Sequence, residues 1–130
     1  MKSINMLTPG EENIIQIIWK IGPCTMSQIM EYFRNHQSDD NIPAPTTVST
    51  FLRILVDKKY LNFKAYGKTY EYFAIVSKNQ YAAMKIKSMI KHYFSNKPEE
   101  LVSFLVTEEK LTEVEINKLL SQLKDKSKKK

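Results

Sequence analysis

The spacing of apolar residues changes from helical to alternating after Tyr60, and this change limits the folds open to the chain. Residues 61–66 alternate apolar and polar side chains, Gly67-Lys68 supplies a turn, and residues 69–75 return rich in aromatic side chains. Two alternating runs that flank a short glycine-containing turn predict a β-hairpin. The tip of this hairpin is basic.

Three helices are predicted before the hairpin. Residues 8–11 (TPGE) and 25–28 (TMSQ) each have the form of a capping box, which opens one helix over about 11–20 and another to about residue 35. A polar loop with two prolines follows, and the third helix covers about 45–59. Its predicted inner stripe consists of Val48, Phe51, Leu52, Leu55 and Val56.

Three more helices are predicted after residue 77, with further capping boxes at 77–80 and 112–115. Because three short helices enclose little interior, we expect a second copy of the chain to cover their apolar faces. The alternative is that they fold back on the first part of the same chain. The predicted dimer contacts are Tyr81, Met84, Ile90, Leu101, Leu105, Ile116, Leu119, Leu120 and Leu123.

Three helices followed by a hairpin are the elements of a winged helix-turn-helix domain, in the order found there. The predicted fold is therefore mainly α with a small β-hairpin, a winged helix-turn-helix followed by a helical dimerisation domain. We place the winged-helix domain at 1–76, the dimerisation domain at 77–124 and a basic, solvated and disordered tail at 125–130.

The distribution of charge points to double-stranded DNA as the partner. The chain carries a net charge of +6, and residues 46–70 hold five Lys or Arg against Asp57 alone, a local net charge of +4. In a winged domain the third helix enters the major groove and the wing follows the phosphate backbone. The predicted DNA-binding residues are Thr46, Thr47, Ser49, Thr50 and Arg53 on the helix, and Lys64, Tyr66 and Lys68 on the wing.

A plainer interpretation exists for each of these residues. Thr46 and Thr47 could simply cap a helix, and the lysines could simply solvate a hairpin. Arg53 could contact a guanine or a phosphate, and the sequence alone does not distinguish the two. The combination of all these features in one order favours DNA binding over the plainer interpretations.

Other functional classes are disfavoured by composition. One cysteine, Cys24, permits no internal disulfide, and it offers too few ligands for a zinc cluster together with His36 and His92. Cys24 is predicted as a small side chain in a turn rather than a redox sensor. No cofactor and no enzymatic activity are expected, since His36 lies in a polar loop and His92 on a helix, and neither belongs to a nucleophile-base pattern. No membrane span or secretion signal is recognised, so a cytoplasmic location is expected.

Three runs of residues carry a resemblance to a known family. They are Leu7-Thr8-Pro9-Gly10-Glu11 with Ile17-Ile18-Trp19 and Gly22-Pro23, then Pro45-Thr46-Thr47-Val48-Ser49-Thr50-Phe51-Leu52 with Leu55-Val56-Asp57-Lys58-Lys59, and Gly67-Lys68-Thr69-Tyr70-Glu71-Tyr72. The chain resembles the penicillinase repressor family (BlaI/MecI type), which includes β-lactamase, methicillin-resistance and copper-responsive repressors. The resemblance implies a transcriptional repressor that binds palindromic operator DNA as a homodimer.

The resemblance also implies a control mechanism, from which this chain departs. In the antibiotic-resistance members a membrane sensor protease triggers cleavage within the dimerisation domain, and the matching region here is Ser103, Phe104 and Leu105. The family's Asn-Phe pair is absent from this region. Many relatives carry an arginine at the position of Ile54, whereas this chain has Arg53, about 100° away around the helix. The cysteine-rich C-terminal site of the copper-responsive members is absent as well.

The sequence is compatible with two other functions. One is a winged-helix module that binds protein instead of DNA. The other is a regulator that binds an aromatic ligand between its two lobes, in a cavity lined by Tyr66, Tyr70, Tyr72, Phe73, Tyr81 and Tyr93.

Overall fold

The computed structural model describes residues 6–108 and 111–128, without the side chains of residues 120 and 123–128. The side chains of Leu120 and Leu123, both predicted dimer contacts, therefore lie outside the described residues, as do Lys129 and Lys130 of the predicted tail. The chain forms two compact units, of which the first ends at Ala83 and the second begins at Met84.

The first unit contains the predicted helices and hairpin in the predicted order. These elements are α1 (Pro9–Ile21), β1 (Cys24–Thr25), α2 (Met26–His36), a 3-10 turn (Asp39–Asn41), α3 (Pro45–Asp57), β2 (Leu61–Tyr66) and β3 (Thr69–Ala74). The strands form an antiparallel sheet in the order β1-β3-β2. This arrangement confirms the winged-helix fold class.

The short strand β1 is a departure from the sequence prediction. Cys24 pairs with Tyr72 of β3 and is fully buried, so it lies in the sheet rather than in a turn. Burial, together with the negative charge of Glu71, raises the pKa of the Cys24 thiol to about 11. The thiolate is the reactive form of cysteine, and it is therefore suppressed at neutral pH.

The capping boxes predicted from sequence begin the helices as expected. Thr8 accepts a hydrogen bond from the Glu11 N–H while Glu11 accepts one from the Thr8 N–H. Thr25 and Gln28 form the same reciprocal pair at α2. Local hydrogen bonds therefore fix where α1 and α2 begin. The apolar residues of each helix then fall on one face, and these faces form the core.

An ion pair joins the start of α1 to the end of α3. Lys58 Nζ lies 2.7 Å from Glu11 Oε1, and the Glu11 side chain is only 6% exposed. Burial raises the pKa of Glu11, but the hydrogen bonds from Lys58 and Thr8 and the attraction of the Lys58 charge outweigh burial and lower it overall. Lys58 therefore neutralises a buried carboxylate.

Replacing Lys58 by methionine should destabilise the first unit by about 2 kcal/mol, because Glu11 then loses a charge-assisted hydrogen bond while it stays buried. Since the folded-state pKa of Glu11 is lowered, the pair stabilises the fold above the ordinary carboxyl pKa, and this contribution disappears as the pH falls through the lowered value. Urea denaturation at pH 7 and pH 3 measures both effects. The exposed neighbour is the control, and Lys59→Met should leave stability nearly unchanged. Equal losses for both variants would contradict this role of Lys58.

Three aromatic side chains close the core beside the first turns of α4 (Lys78–Tyr93). Tyr81 packs against Trp19 and Tyr60, with ring centroids 5.9 Å and 5.6 Å away. Its hydroxyl accepts a hydrogen bond from the Leu7 N–H and donates one to Glu12. Tyr81 was predicted at the dimer interface, but it is buried in the first unit and leaves almost no surface for a second chain.

The second unit consists of the rest of α4, α5 (Pro98–Glu108) and α6 (Glu113–Lys128). The predicted capping boxes are present, because Ser77 pairs reciprocally with Gln80 and Thr112 with Glu115. Helix α6 continues to Lys128, so the segment predicted as a disordered tail is helical up to that residue. No side chain described from residue 84 onward is buried.

Candidate nucleic-acid interface

Helix α3 turns a polar face to solvent because its apolar face is held in the core. Val48, Leu52 and Leu55 are fully buried, which fixes the rotation of the helix about its axis. The opposite face presents all five predicted residues as exposed side chains: Thr46, Thr47, Ser49, Thr50 and Arg53. Ile54, next to Arg53 in the chain, is half-buried.

The N-terminus of α3 lacks the side-chain cap that begins α1, α2, α4 and α6. Its N-cap is Ala44, which offers no side-chain hydrogen bond, and Pro45 occupies the first helical position. The interpretation of Thr46 and Thr47 as simple caps is therefore wrong. An uncapped first turn has N–H groups that can donate to a phosphate.

The hydroxyls on α3 are not equivalent. Thr50 Oγ1 donates a hydrogen bond to the Thr46 carbonyl oxygen at 2.9 Å, so its proton is used within the helix. Among the described residues, the side chains of Thr46, Thr47 and Ser49 have no hydrogen-bond partner. These three hydroxyls can both donate to and accept from an external group.

A close contact positions α3 against α1. A Cβ atom added at Gly10 would lie 2.5 Å from the ring tip of Phe51, so glycine lets the Phe51 ring approach the start of α1. Phe51 was predicted in the inner stripe of α3, and it is half-buried there. Together with the Lys58–Glu11 pair, this contact fixes the middle and the C-terminal end of α3 relative to the start of α1.

The wing is a regular two-stranded hairpin with a tight turn. Tyr66 pairs with Thr69, and Gly67 adopts a φ of 64° between them. A positive φ at the first turn position but not at Lys68 fits a type II′ turn, for which glycine is preferred. Lys68 therefore stands at the exposed tip of the wing, and Tyr66 beside it is 60% exposed.

Aromatic side chains stiffen the wing on the side that continues into the core. Phe63 stacks on Tyr70 with ring centroids 4.4 Å apart and also contacts Tyr72 at 5.8 Å. The sequence indicated aromatic enrichment here but not this cluster. Because Lys64 and Tyr66 alternate with Phe63 along β2, they lie on the opposite side of the hairpin.

The positive charge of this region is smaller than the sequence suggested. Lys58 is neutralised by Glu11. Within the described part of the chain, Arg53, Lys64 and Lys68 form no ion pair. These three cations remain available to a polyanion.

Other residues singled out from the sequence are dispersed. His36 stacks on Tyr32 at the end of α2, and His92 is exposed on α4. In the described ranges no cluster of His, Cys, Asp or Glu could hold a metal ion. Of the aromatic residues proposed to line a ligand cavity, Tyr93 is 79% exposed on α4, Tyr81 is in the core, and Tyr70 and Tyr72 belong to the wing cluster.

The predicted cleavage region lies inside a helix. Ser103, Phe104 and Leu105 belong to α5, and Phe104 contacts Phe94 edge to face with centroids 5.6 Å apart. Ser103 and Phe104 are exposed, whereas Leu105 is half-buried.

The chain matches the family described as "Penicillinase repressor" over residues 7–125, which is nearly its whole length. The chain belongs to the penicillinase repressor family. This membership confirms the resemblance inferred from sequence and makes the chain a transcriptional repressor. No curated protein matches it. No helix in the described part is long and apolar enough to cross a bilayer.

One of the solved structures that the chain resembles supports the fold. The solution structure of the DNA-binding domain of the repressor BlaI is 22% identical, with a TM-score of 0.51 over 62% of this chain and 94% of that one. Monomeric Bacillus licheniformis BlaI in complex with the blaP half-operator is 22% identical over the same shares, with a TM-score of 0.49. A point mutant of Lactococcus lactis ZitR is 17% identical, with a TM-score of 0.45 over 97% of this chain and 79% of that one.

Proposed function

We propose that this penicillinase repressor family member binds a palindromic operator as a homodimer, with α3 in the major groove and the wing on the backbone. The proposal rests on the exposed polar face of α3, where three unpartnered hydroxyls and Arg53 stand beside an uncapped helix N-terminus. Such a face combines the groups that read base edges with those that bind phosphate.

The residues divide into two kinds of contact. Arg53 and the hydroxyls of Thr46, Thr47 and Ser49 can hydrogen-bond to base edges, since they project from the exposed side of a helix that fits the major groove. Lys64 and Lys68 on the wing supply phosphate contacts, which contribute affinity without sequence preference. Lys58 is excluded from either role because it pairs with Glu11.

The apolar surface of the second unit supports the homodimer. Its exposed apolar residues are Ile86, Met89, Tyr93, Val102, Phe104, Val106, Val114 and Leu119. The predicted contacts Met84, Ile90, Leu101, Leu105 and Ile116 are half-buried, so each is partly covered within the chain. An apolar surface on helices without a buried core calls for a partner that covers it. A second copy of the unit can be that partner, since a two-fold axis brings the same surface of both copies together.

A selection experiment tests this function. From a pool of random duplexes the full chain should enrich an inverted repeat whose half-sites lie about one helical turn, or a multiple of it, apart. Enrichment of single half-sites would argue against the dimer. Recovery of unrelated sequences would argue against an operator-binding repressor and favour the protein-interaction function.

The phosphate contacts proposed for the wing can be measured through the salt dependence of DNA binding. Lys68→Ala should weaken binding to all duplexes by a similar factor and reduce the slope of log affinity against log salt concentration by about 1, because one phosphate contact is lost. Fluorescence anisotropy at several salt concentrations measures this slope. Lys97→Ala, at an exposed lysine of the second unit, is the control and should change neither quantity. A loss confined to one sequence would make Lys68 a base reader.

A further inference from the structure

The first unit contains a cleft that the proposed DNA contacts do not use. Its volume is about 580 Å³, which is in the range of small-molecule sites. Helices α1 and α2 and the segment that leads into α3 line it. We call it the α1–α2 cleft, and its aromatic side chains are Trp19, Tyr32, Phe33 and Phe51.

The charge of this cleft selects the kind of ligand. Lys20 and Lys78 line it, and no acidic side chain among the described residues does. Both lysines are exposed and form no ion pair within the described part of the chain. Asn13 and Gln16 add side-chain amides that can donate hydrogen bonds. Aromatic rings together with two free cations and amide donors fit a small aromatic carboxylate.

The cleft also shares residues with the DNA-reading helix. Phe51 belongs to α3, and Pro43 lies two residues before the helix begins. The Phe51 ring already touches Gly10 closely, so it has no room to move further toward the start of α1. A ligand in contact with Phe51 or Pro43 would therefore bear directly on α3, whose N-terminal half carries Thr46, Thr47 and Ser49.

We propose that the α1–α2 cleft binds a small aromatic carboxylate and that its occupation weakens operator binding. The regulatory half of this proposal rests on the proposed function, whereas the binding half does not. Thermodynamic linkage requires the effect to be reciprocal, so operator DNA must weaken ligand binding by the same factor.

The single tryptophan of the chain gives a direct readout of the cleft. We would titrate the full chain with 2-naphthoate and follow the NMR signal of the Trp19 indole N–H, which donates to the Val76 carbonyl oxygen. The expected result is a saturable shift with a dissociation constant below about 1 mM. The matched uncharged probe, 2-naphthamide, should bind at least about tenfold more weakly, because it lacks the charge that Lys20 and Lys78 attract.

Two double variants separate the cleft from general positive charge. Lys20→Gln with Lys78→Gln should weaken naphthoate binding at least about tenfold, whereas Lys87→Gln with Lys91→Gln, at exposed lysines of α4, should leave it unchanged. Equal effects in both variants would overturn the assignment of the site. The absence of any saturable Trp19 shift in the unmodified chain would overturn it as well.

The last step measures DNA binding in the presence of the probe. Saturating naphthoate should lower affinity for the selected duplex by about fivefold or more, and the Lys20→Gln, Lys78→Gln variant should not respond. A Trp19 shift without any change in DNA affinity would overturn the regulatory half. If the chain bound no duplex selectively, the proposed function would fail, while the Trp19 titration would still decide the ligand site.

Discussion

Replacement of Leu119 by aspartate should convert the proposed homodimer into a monomer and lower operator affinity about a hundredfold or more. Leu119 is 51% exposed on α6, within the apolar surface of the second unit, and a charge there would be desolvated in a dimer. Two linked DNA-binding units gain affinity from their effective concentration, and a monomer loses that gain. Light scattering coupled to gel filtration measures the mass, and fluorescence anisotropy measures the affinity.

The control is a charge of the same kind on the same helix. Ser121→Asp adds an aspartate at an exposed position two residues along α6, on another side of the helix. It should leave both the mass and the affinity nearly unchanged. Emission from Trp19, which lies in the first unit, should be the same in both variants and would show that this unit remains folded. A Leu119→Asp chain that is still dimeric would contradict an interface on this surface.

Replacement of Arg53 by alanine should lower affinity for the operator by about 10- to 100-fold, the loss expected for one good contact between an arginine and a base. Binding to unrelated duplexes should fall much less, because a base reader contributes little to nonspecific affinity. Competition anisotropy with an operator and a scrambled duplex measures the ratio of the two affinities. Equal losses on both duplexes would show that Arg53 contacts phosphate.

The other arginine of the chain is the matched control. Arg34 is exposed in the last turn of α2 and is not one of the predicted DNA-binding residues. Arg34→Ala removes the same charge and should change neither affinity by more than about twofold, since an isolated surface cation contributes little. A similar loss of selectivity in both variants would contradict the assignment of base reading to α3.

Features set by local sequence were predictable. The capping boxes that begin with Thr8, Thr25, Ser77 and Thr112 each depend on residues three positions apart, and all four are present. The hairpin turn is equally local, because Gly67 supplies the positive φ that the two strands require. The winged-helix class followed from the order of these local elements.

Features that join distant parts of the chain were not predictable in the same way. Strand β1 has only two residues, so it carries no periodicity, and it exists because Cys24 and Thr25 pair with β3. Glu11 and Lys58 are 47 residues apart, and only the packing of α1 on α3 brings their charges together. Nothing in the sequence distinguished Lys58 from the lysines that remain free.

Tyr81 illustrates a further limit of periodicity. The spacing of apolar residues along α4 identified Tyr81 as part of an apolar face, but spacing does not tell which surface covers that face. The structure places Tyr81 against Trp19 and Tyr60, while Met89 on the same helix is exposed. Turns of one helix can therefore differ in what covers them, and the spacing of apolar residues does not show this difference.

Operator binding is tested most directly by a gel-shift titration of the full chain with DNA from upstream of its own gene, against a scrambled competitor at fixed salt. An operator-binding homodimer should give one shifted complex that resists the competitor and contains two chains per inverted repeat, since it would present two copies of α3 to two half-sites. Complete removal of the shift by an equal amount of scrambled DNA would contradict selective operator binding and leave a basic winged domain with no operator.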